Sequence, residues 1–184
     1  MLDGYTLVAI DMQEVFRRPD SGWYTPRYDE AALRISELMP LFDDRVVLTR
    51  FVAPAEPAGA WVGYYRRWSF ALLPDEDPLY RLSSGFAEKA CPVITMTTFG
   101  KWGPQLATAM RGSDGMVLTG VSTDCCVLAT AVAAADAGVH VKVVADACAG
   151  ITDADHQRAL DVMALFAPMV EITTAEQIRS ELAG

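Results

Sequence analysis

Two adjacent cysteines, Cys125 and Cys126, stand where the stretch Gly120-Val121-Ser122-Thr123-Asp124 runs into an Ala- and Val-rich segment that ends at Gly138. A thiol at a helix start has unpaired amides and the positive end of the helix dipole beside it, so its thiolate is favoured. The same amides can hold the oxyanion formed when a sulfur attacks a carbonyl. Neighbouring helical residues point about 100° apart, so only one of the two sulfurs is expected to face a given crevice, and spacing does not choose between them. A carboxylate able to move the thiol proton is Asp11, at the end of the apolar run Thr6–Asp11. A loop cap after a strand is the other reading of that aspartate.

These groups need a scaffold that brings them together. Thr6–Asp11, Arg45–Phe51, Val93–Thr95, Met116–Thr119, Val139–Ala145 and Met169–Ile172 read as short buried strands. Asp29–Phe42, Cys125–Ala137, Asp153–Phe166 and Thr174–Leu182 read as helices. In the first of them Leu33, Leu38 and Leu41 share a face, with Ile35 to the side. Strands alternating with helices predict a single α/β domain over residues 1–184, a three-layer αβα fold with a mostly parallel, Rossmann-like sheet of six strands. Ligands of such sheets bind beyond the carboxyl ends of the strands, where Asp11 and the cysteine pair fall. One segment, Ala53–Ser84, breaks the alternation with four prolines and the aromatics Trp61, Tyr64, Tyr65, Trp68 and Phe70. A stretch of this length is expected to be a lid over a pocket, a subunit contact, or both.

The 184-residue chain is 52% hydrophobic and carries a net charge of -9, which argues for a folded domain and against a nucleic-acid or anionic-membrane surface. No apolar run approaches the ~18 residues of a membrane span, and the first residues lack the pattern of a cleavable leader. The expectation is a cytoplasmic protein that acts on a small molecule, with Cys91, Cys125, Cys126 and Cys148 as free thiols.

The stretch Gly120–Val127, followed by an Ala-rich helix, a glycine and a strand ending in Asp146-Ala147, resembles the signature of the isochorismatase-like cysteine hydrolases. Val8–Gln13 with Phe16, and Thr97–Leu106, resemble two further motifs of that family. The resemblance implies Cys126 as nucleophile, with Cys125 at a variable packing position. It implies Asp11 as the proton carrier and a cis peptide between Val121 and Ser122, turning the Ser122 amide, with that of Cys126, toward an oxyanion. The family's lysine maps onto Met96, which has no charge. Lys101 could reach back on its long stem as a substitute cation, or be a solvated surface lysine. Arg50 could do the same, or form a surface ion pair. Weakened activity, or a binding role without catalysis, follows if neither reaches the site.

Nicotinamidase-like relatives carry an Asp and histidines after the second strand. No histidine follows it here, and the two in the chain, His140 and His156, stand apart, His140 starting a buried strand and His156 on a helix surface. The resemblance therefore implies neither a catalytic metal nor another cofactor, and argues against nicotinamidase activity. It implies cleavage of a C–N bond in a small amide, carbamoyl or lactam-like compound. Vinyl-ether hydrolysis of an isochorismate-like compound is the alternative chemistry. Phe16, Trp23, Trp61, Tyr64, Trp68 and Trp102 are candidate pocket residues, and Gln13 and Asp146 are candidate supports or structural caps. A homodimer or larger homo-oligomer is expected.

Overall fold

Six strands form one parallel sheet in the computed structural model, which describes Leu2 and residues 4–183. They are β1 (Tyr5–Ile10), β2 (Val46–Phe51), β3 (Val93–Met96), β4 (Gly115–Val121), β5 (His140–Ala149) and β6 (Val170–Thr173), in the spatial order β3-β2-β1-β4-β5-β6. The chain winds outward from β1 in one direction and from β4 in the other. The two central strands lie in register, Tyr5 opposite Gly115 and Ile10 opposite Gly120. Their junction is the switch point at which such sheets open a crevice.

Alternation along β1 shows why the sheet is covered on both faces. Leu7 and Ala9 belong to one core and Val8 and Ile10 to the other, all fully buried. The first core takes Ile35 of α2 (Tyr28–Leu38) and Ile178 of α7 (Ala175–Ala183). The second takes Leu106 of α4 (Pro104–Ala109), Ala131 of α5 (Leu128–Asp136) and Leu160 of α6 (Asp153–Ala164). The three-layer α/β arrangement expected from the sequence is therefore present. Among the described residues, no helix is long and apolar enough to cross a membrane.

Several elements depart from the sequence reading, each for a local reason. The helix read over 29–42 stops at Leu38, and Pro40 sits in a tighter turn over Met39–Phe42. Its inward face is Tyr28, Ala31, Ile35 and Leu38, whereas Leu33 is 58% exposed and Leu41 40% exposed. Of the three leucines grouped by spacing, Leu38 alone faces inward. Strand β5 continues to Ala149, because its register against β4 shifts between the Leu118–Val143 and Gly120–Cys148 pairs. Asp146 lies in this irregular part and accepts from the Ala175 amide at 2.8 Å, capping α7. Ala53–Ser84 is not one loop, since it holds α3 (Ala60–Arg67) and two short turns. The short helices α1 (Glu14–Arg17) and α4 carry too few residues for a periodic signal.

Gly120 makes the sharpest demand on sequence. It has φ +110°, and a β-carbon there would stand 2.2 Å from the Ile10 carbonyl oxygen and 2.5 Å from the Ile10 nitrogen. These are backbone atoms of the central strand and cannot swing aside. Gly120→Ala is expected to cost about 3 kcal/mol or more, seen as an earlier urea midpoint at unchanged m-value.

Candidate active site

Asp11 follows β1 in a left-handed conformation, φ +52°, with its side chain fully buried. Thr49 of β2 holds it twice. The Thr49 hydroxyl donates to Asp11 Oδ1 at 2.7 Å and accepts from the Asp11 amide at 3.1 Å. The other carboxylate oxygen, Oδ2, lies 3.0 Å from Lys101 Nζ, both side chains having 0% exposure. That contact is an ion pair rather than an aligned hydrogen bond. The ammonium donates to the Thr98 carbonyl at 2.6 Å, and Oδ2 has no hydrogen-bond donor among the described residues. Oδ2 is thus a buried oxygen beside a cation, with no hydrogen bond occupying it.

Lys101 is therefore not a solvated lysine. Thr98 Oγ1 donates to Gly100 O at 2.8 Å, curling the chain so that the long stem runs inward. Its ammonium sits 5.0 Å from the centre of the Phe51 ring, a cation–π contact. Its amide donates to Thr130 Oγ1 at 2.9 Å, and that hydroxyl donates to the Cys126 carbonyl at 2.7 Å. The cation and the thiol-bearing turn are thereby tied together. Met96 lies elsewhere, beside a surface hollow shared with Thr98 and Gly103. Arg50 pairs with Asp75 at 2.5 Å, as in the surface reading.

The cysteines follow β4 through a cis peptide between Val121 and Ser122. The sequence reading starts a regular helix at Cys125. The structure instead makes a wide turn over Thr123–Val127, in which the Val127 amide donates five residues back to Ser122 O at 3.1 Å. A wider turn rotates less per residue than the ~100° of a regular helix. Cys125 and Cys126 are both lining residues of the same hollow. The turn is held from outside by Ser122 Oγ donating to Asp124 Oδ1 at 2.8 Å and by Ile151 N donating to the same oxygen at 3.1 Å.

The two thiols titrate as a pair. A hydrogen bond from the Cys126 thiol lowers the pKa of Cys125. The same bond, then burial, then the Asp11 charge push Cys126 well above the ordinary thiol range, against the opposing pull of Lys101. In the resting site Cys126 holds its proton, and the buried charges of Asp11 and Lys101 both act on it.

The hollow has a volume of about 290 Å³ and an aromatic wall. Phe16, Trp23, Tyr64 and Trp68 line it as expected, joined by Phe51 and Phe99. Trp61 does not line it; it packs behind Tyr64 and against Phe99, with ring centres 4.9 Å apart in the latter pair. Trp102 does not line it either, and packs on the second core. Gln13 is a brace rather than a reacting group. Its amide donates to Phe51 O at 2.9 Å and Tyr80 O at 2.7 Å and accepts from Phe51 N at 2.7 Å, clamping the aromatic segment to the sheet.

His156 is half-buried rather than on the helix surface, and its Nδ1 lies 2.8 Å from Thr123 Oγ1 on the cysteine turn. Burial, then Arg27, lowers its pKa. The neutral ring is thus preferred in the folded state. The contribution is fully present above the unfolded value of ~6.5 and is lost as pH falls from there toward the folded value. Between pH 7.5 and 5.5 the thermal midpoint of the natural protein is expected to fall more than that of His156→Gln. Among the described residues, no group of three or more His, Cys, Asp or Glu is placed to hold a metal ion.

Sequence reasoning missed Thr49, Thr130 and Asp124. Thr49 carried a signal, being a small polar residue within a mostly apolar strand; Asp124 and Thr130 read as ordinary loop and helix residues. The family model described as Isochorismatase domain matches residues 5–177. Several solved structures share the fold. A cysteine hydrolase from Pseudomonas syringae pv. phaseolicola 1448A superposes with TM-score 0.87 at 19% identity, over 100% of this chain and 94% of that one. An isochorismatase family protein from Desulfovibrio vulgaris subsp. vulgaris str. Hildenborough gives 0.83 at 19%, over 98% and 99%. A pyrazinamidase of Pyrococcus horikoshii in complex with zinc gives 0.74 at 22%, over 93% and 99%. Among curated proteins, none matches this chain.

Proposed function

Because the chain belongs to the isochorismatase domain family, we propose that it is a metal-independent cysteine hydrolase that cuts a C–N bond in a small amide, carbamoyl or lactam-like compound. The observation that carries this reading is the dry Asp11–Lys101 pair, 3.0 Å apart, whose field acts on two thiols facing one aromatic hollow.

In the proposed reaction the Cys126 sulfur attacks the carbonyl carbon while its proton passes to Asp11 Oδ2. Lys101, 3.0 Å from that oxygen, supplies the positive charge beside it. The carbonyl oxygen becomes an oxyanion, received by the Ser122 and Cys126 amides. Collapse breaks the C–N bond, and Asp11 returns the proton to the departing amine. A water molecule, deprotonated by Asp11, then splits the thioester to release the acid and restore the thiol. The site reads as self-sufficient. The Pyrococcus pyrazinamidase is a zinc complex, but the residues described here offer no cluster fit for such an ion, and no step runs through one. The ion pair of Lys101 favours this reading over ligand binding without catalysis, whose support was the uncharged Met96.

Intact-mass analysis after exposure to a panel of small amides tests the proposal. An acyl adduct on the natural protein and on Cys125→Ala, absent from Cys126→Ala, is the expected result. Turnover without any adduct, surviving Cys126→Ala, would favour vinyl-ether chemistry instead. The proposal includes a homodimer or larger assembly, which sedimentation velocity checks.

A further inference from the structure

The chemistry of the hollow narrows what it can accept. Its wall is mainly aromatic, and at about 290 Å³ it lies near the lower edge of ligand pockets. Among the described residues, no Lys, Arg or His lines it. Lys101 has no exposure, and its charge is matched by Asp11. Arg67 stacks on Trp68, 5.3 Å from the ring centre, without joining the lining.

Among the described residues, Asp124 is the one charged residue that lines the hollow. Its Oδ1 takes two hydrogen bonds, from Ser122 Oγ at 2.8 Å and from Ile151 N at 3.1 Å. The carboxylate is therefore fixed where the cysteine turn meets Ile151, not free to swing into solvent. A ligand carboxylate entering this space would lose its water, find no cation, and meet a charge of its own sign. An uncharged ring or short apolar chain would lose little and gain contact with the aromatic faces.

We propose that the site selects a compact, uncharged acyl group and rejects carboxylate-bearing ligands, with Asp124 as the residue that sets this discrimination. The inference rests on the hydrolase reading for the bond that is cut, but not for which ligand binds. An isochorismate-like dicarboxylate falls in the rejected class.

Three size-matched probes separate the effects: benzamide, 4-carboxybenzamide and 4-(aminomethyl)benzamide. The neutral probe is expected to exceed the carboxylate in kcat/KM by on the order of 100-fold, with the cationic probe in between or better. Asp124→Asn keeps a carbonyl oxygen for Ser122 and Ile151 while removing the charge. It should narrow the neutral-to-carboxylate ratio by about tenfold. A carboxylate probe used as well as benzamide, or a ratio unmoved in Asp124→Asn, overturns the inference.

Calorimetric Kd values for the same probes on Cys126→Ala keep the two readings apart. The same order of binding, with no turnover by the natural protein, sinks the hydrolase reading and leaves this one standing. Equal affinity for the carboxylate, or no binding of any probe at millimolar concentration, sinks this one.

Discussion

If the chain is the amide hydrolase proposed, Cys126→Ala is expected to lower kcat by about 10⁴-fold or more, since removing a nucleophile abolishes the covalent route and leaves only what binding and oxyanion stabilisation supply. Cys125→Ala is expected to stay within roughly tenfold of the natural enzyme, the scale of one lost hydrogen bond. The contrast is informative because both cysteines are lining residues of the hollow. Position alone does not separate them, but their surroundings do. Cys126 is 4% exposed, and its carbonyl is bound through Thr130 to the amide of Lys101. Cys125 is half-buried; the hydrogen bond from the Cys126 thiol lowers its pKa, against burial and the Asp124 carboxylate, which raise it. Steady-state kinetics on both variants decides the assignment. A dead Cys125→Ala beside an active Cys126→Ala would move the nucleophile by one residue.

Lys101→Met is expected to strike activity and stability together. Removing the ammonium leaves a fully buried carboxylate with no counter-charge, a change that typically costs about 3–5 kcal/mol. Asp11 would then fold protonated or not fold well, and in either case could not take the thiol proton. A fall in kcat of about 10²–10³-fold accompanies the loss, the usual scale for a missing general base. The double variant Lys101→Met/Asp11→Asn separates the two effects. It should regain much of the urea midpoint, because no lone charge remains, while turnover stays lost. Recovery of turnover in the double variant would show that the pair is structural only. Met96→Lys is expected to change neither quantity, since that side chain borders a different hollow.

The strands were legible along the chain because each is a short, largely apolar run bounded by polar turns, with the central β1 and β4 buried on both faces. The place of the site was legible for the same reason, Asp11 and the cysteines both following central strands. What the sequence did not reveal was geometry that depends on side-chain reach. Lys101 is five residues beyond the position where a family lysine was sought, and only the curl of the Thr98–Gly100 turn turns its stem inward. The wide turn at Thr123–Val127 was hidden because an i−5 hydrogen bond leaves no trace in residue type. The aromatic wall was half seen. Trp61 and Trp102 are as large and as apolar as Trp23 and Trp68, and nothing in composition separates a lining ring from one packed behind it. Phe51 and Phe99, at the ends of plain strands and turns, carried no mark of their place.

The Gln13 clamp bears on how molecules come and go. With both ends of its amide engaged by Phe51 and Tyr80, and with Ser83 N bonded to Met12 O at 2.9 Å, the segment around Tyr80 is fastened at its base. Such a panel does not swing like a flap. Traffic through the mouth is then filtered by aperture and bulk, so crowding a ligand's far end should slow its arrival and departure long before it disturbs the chemistry within.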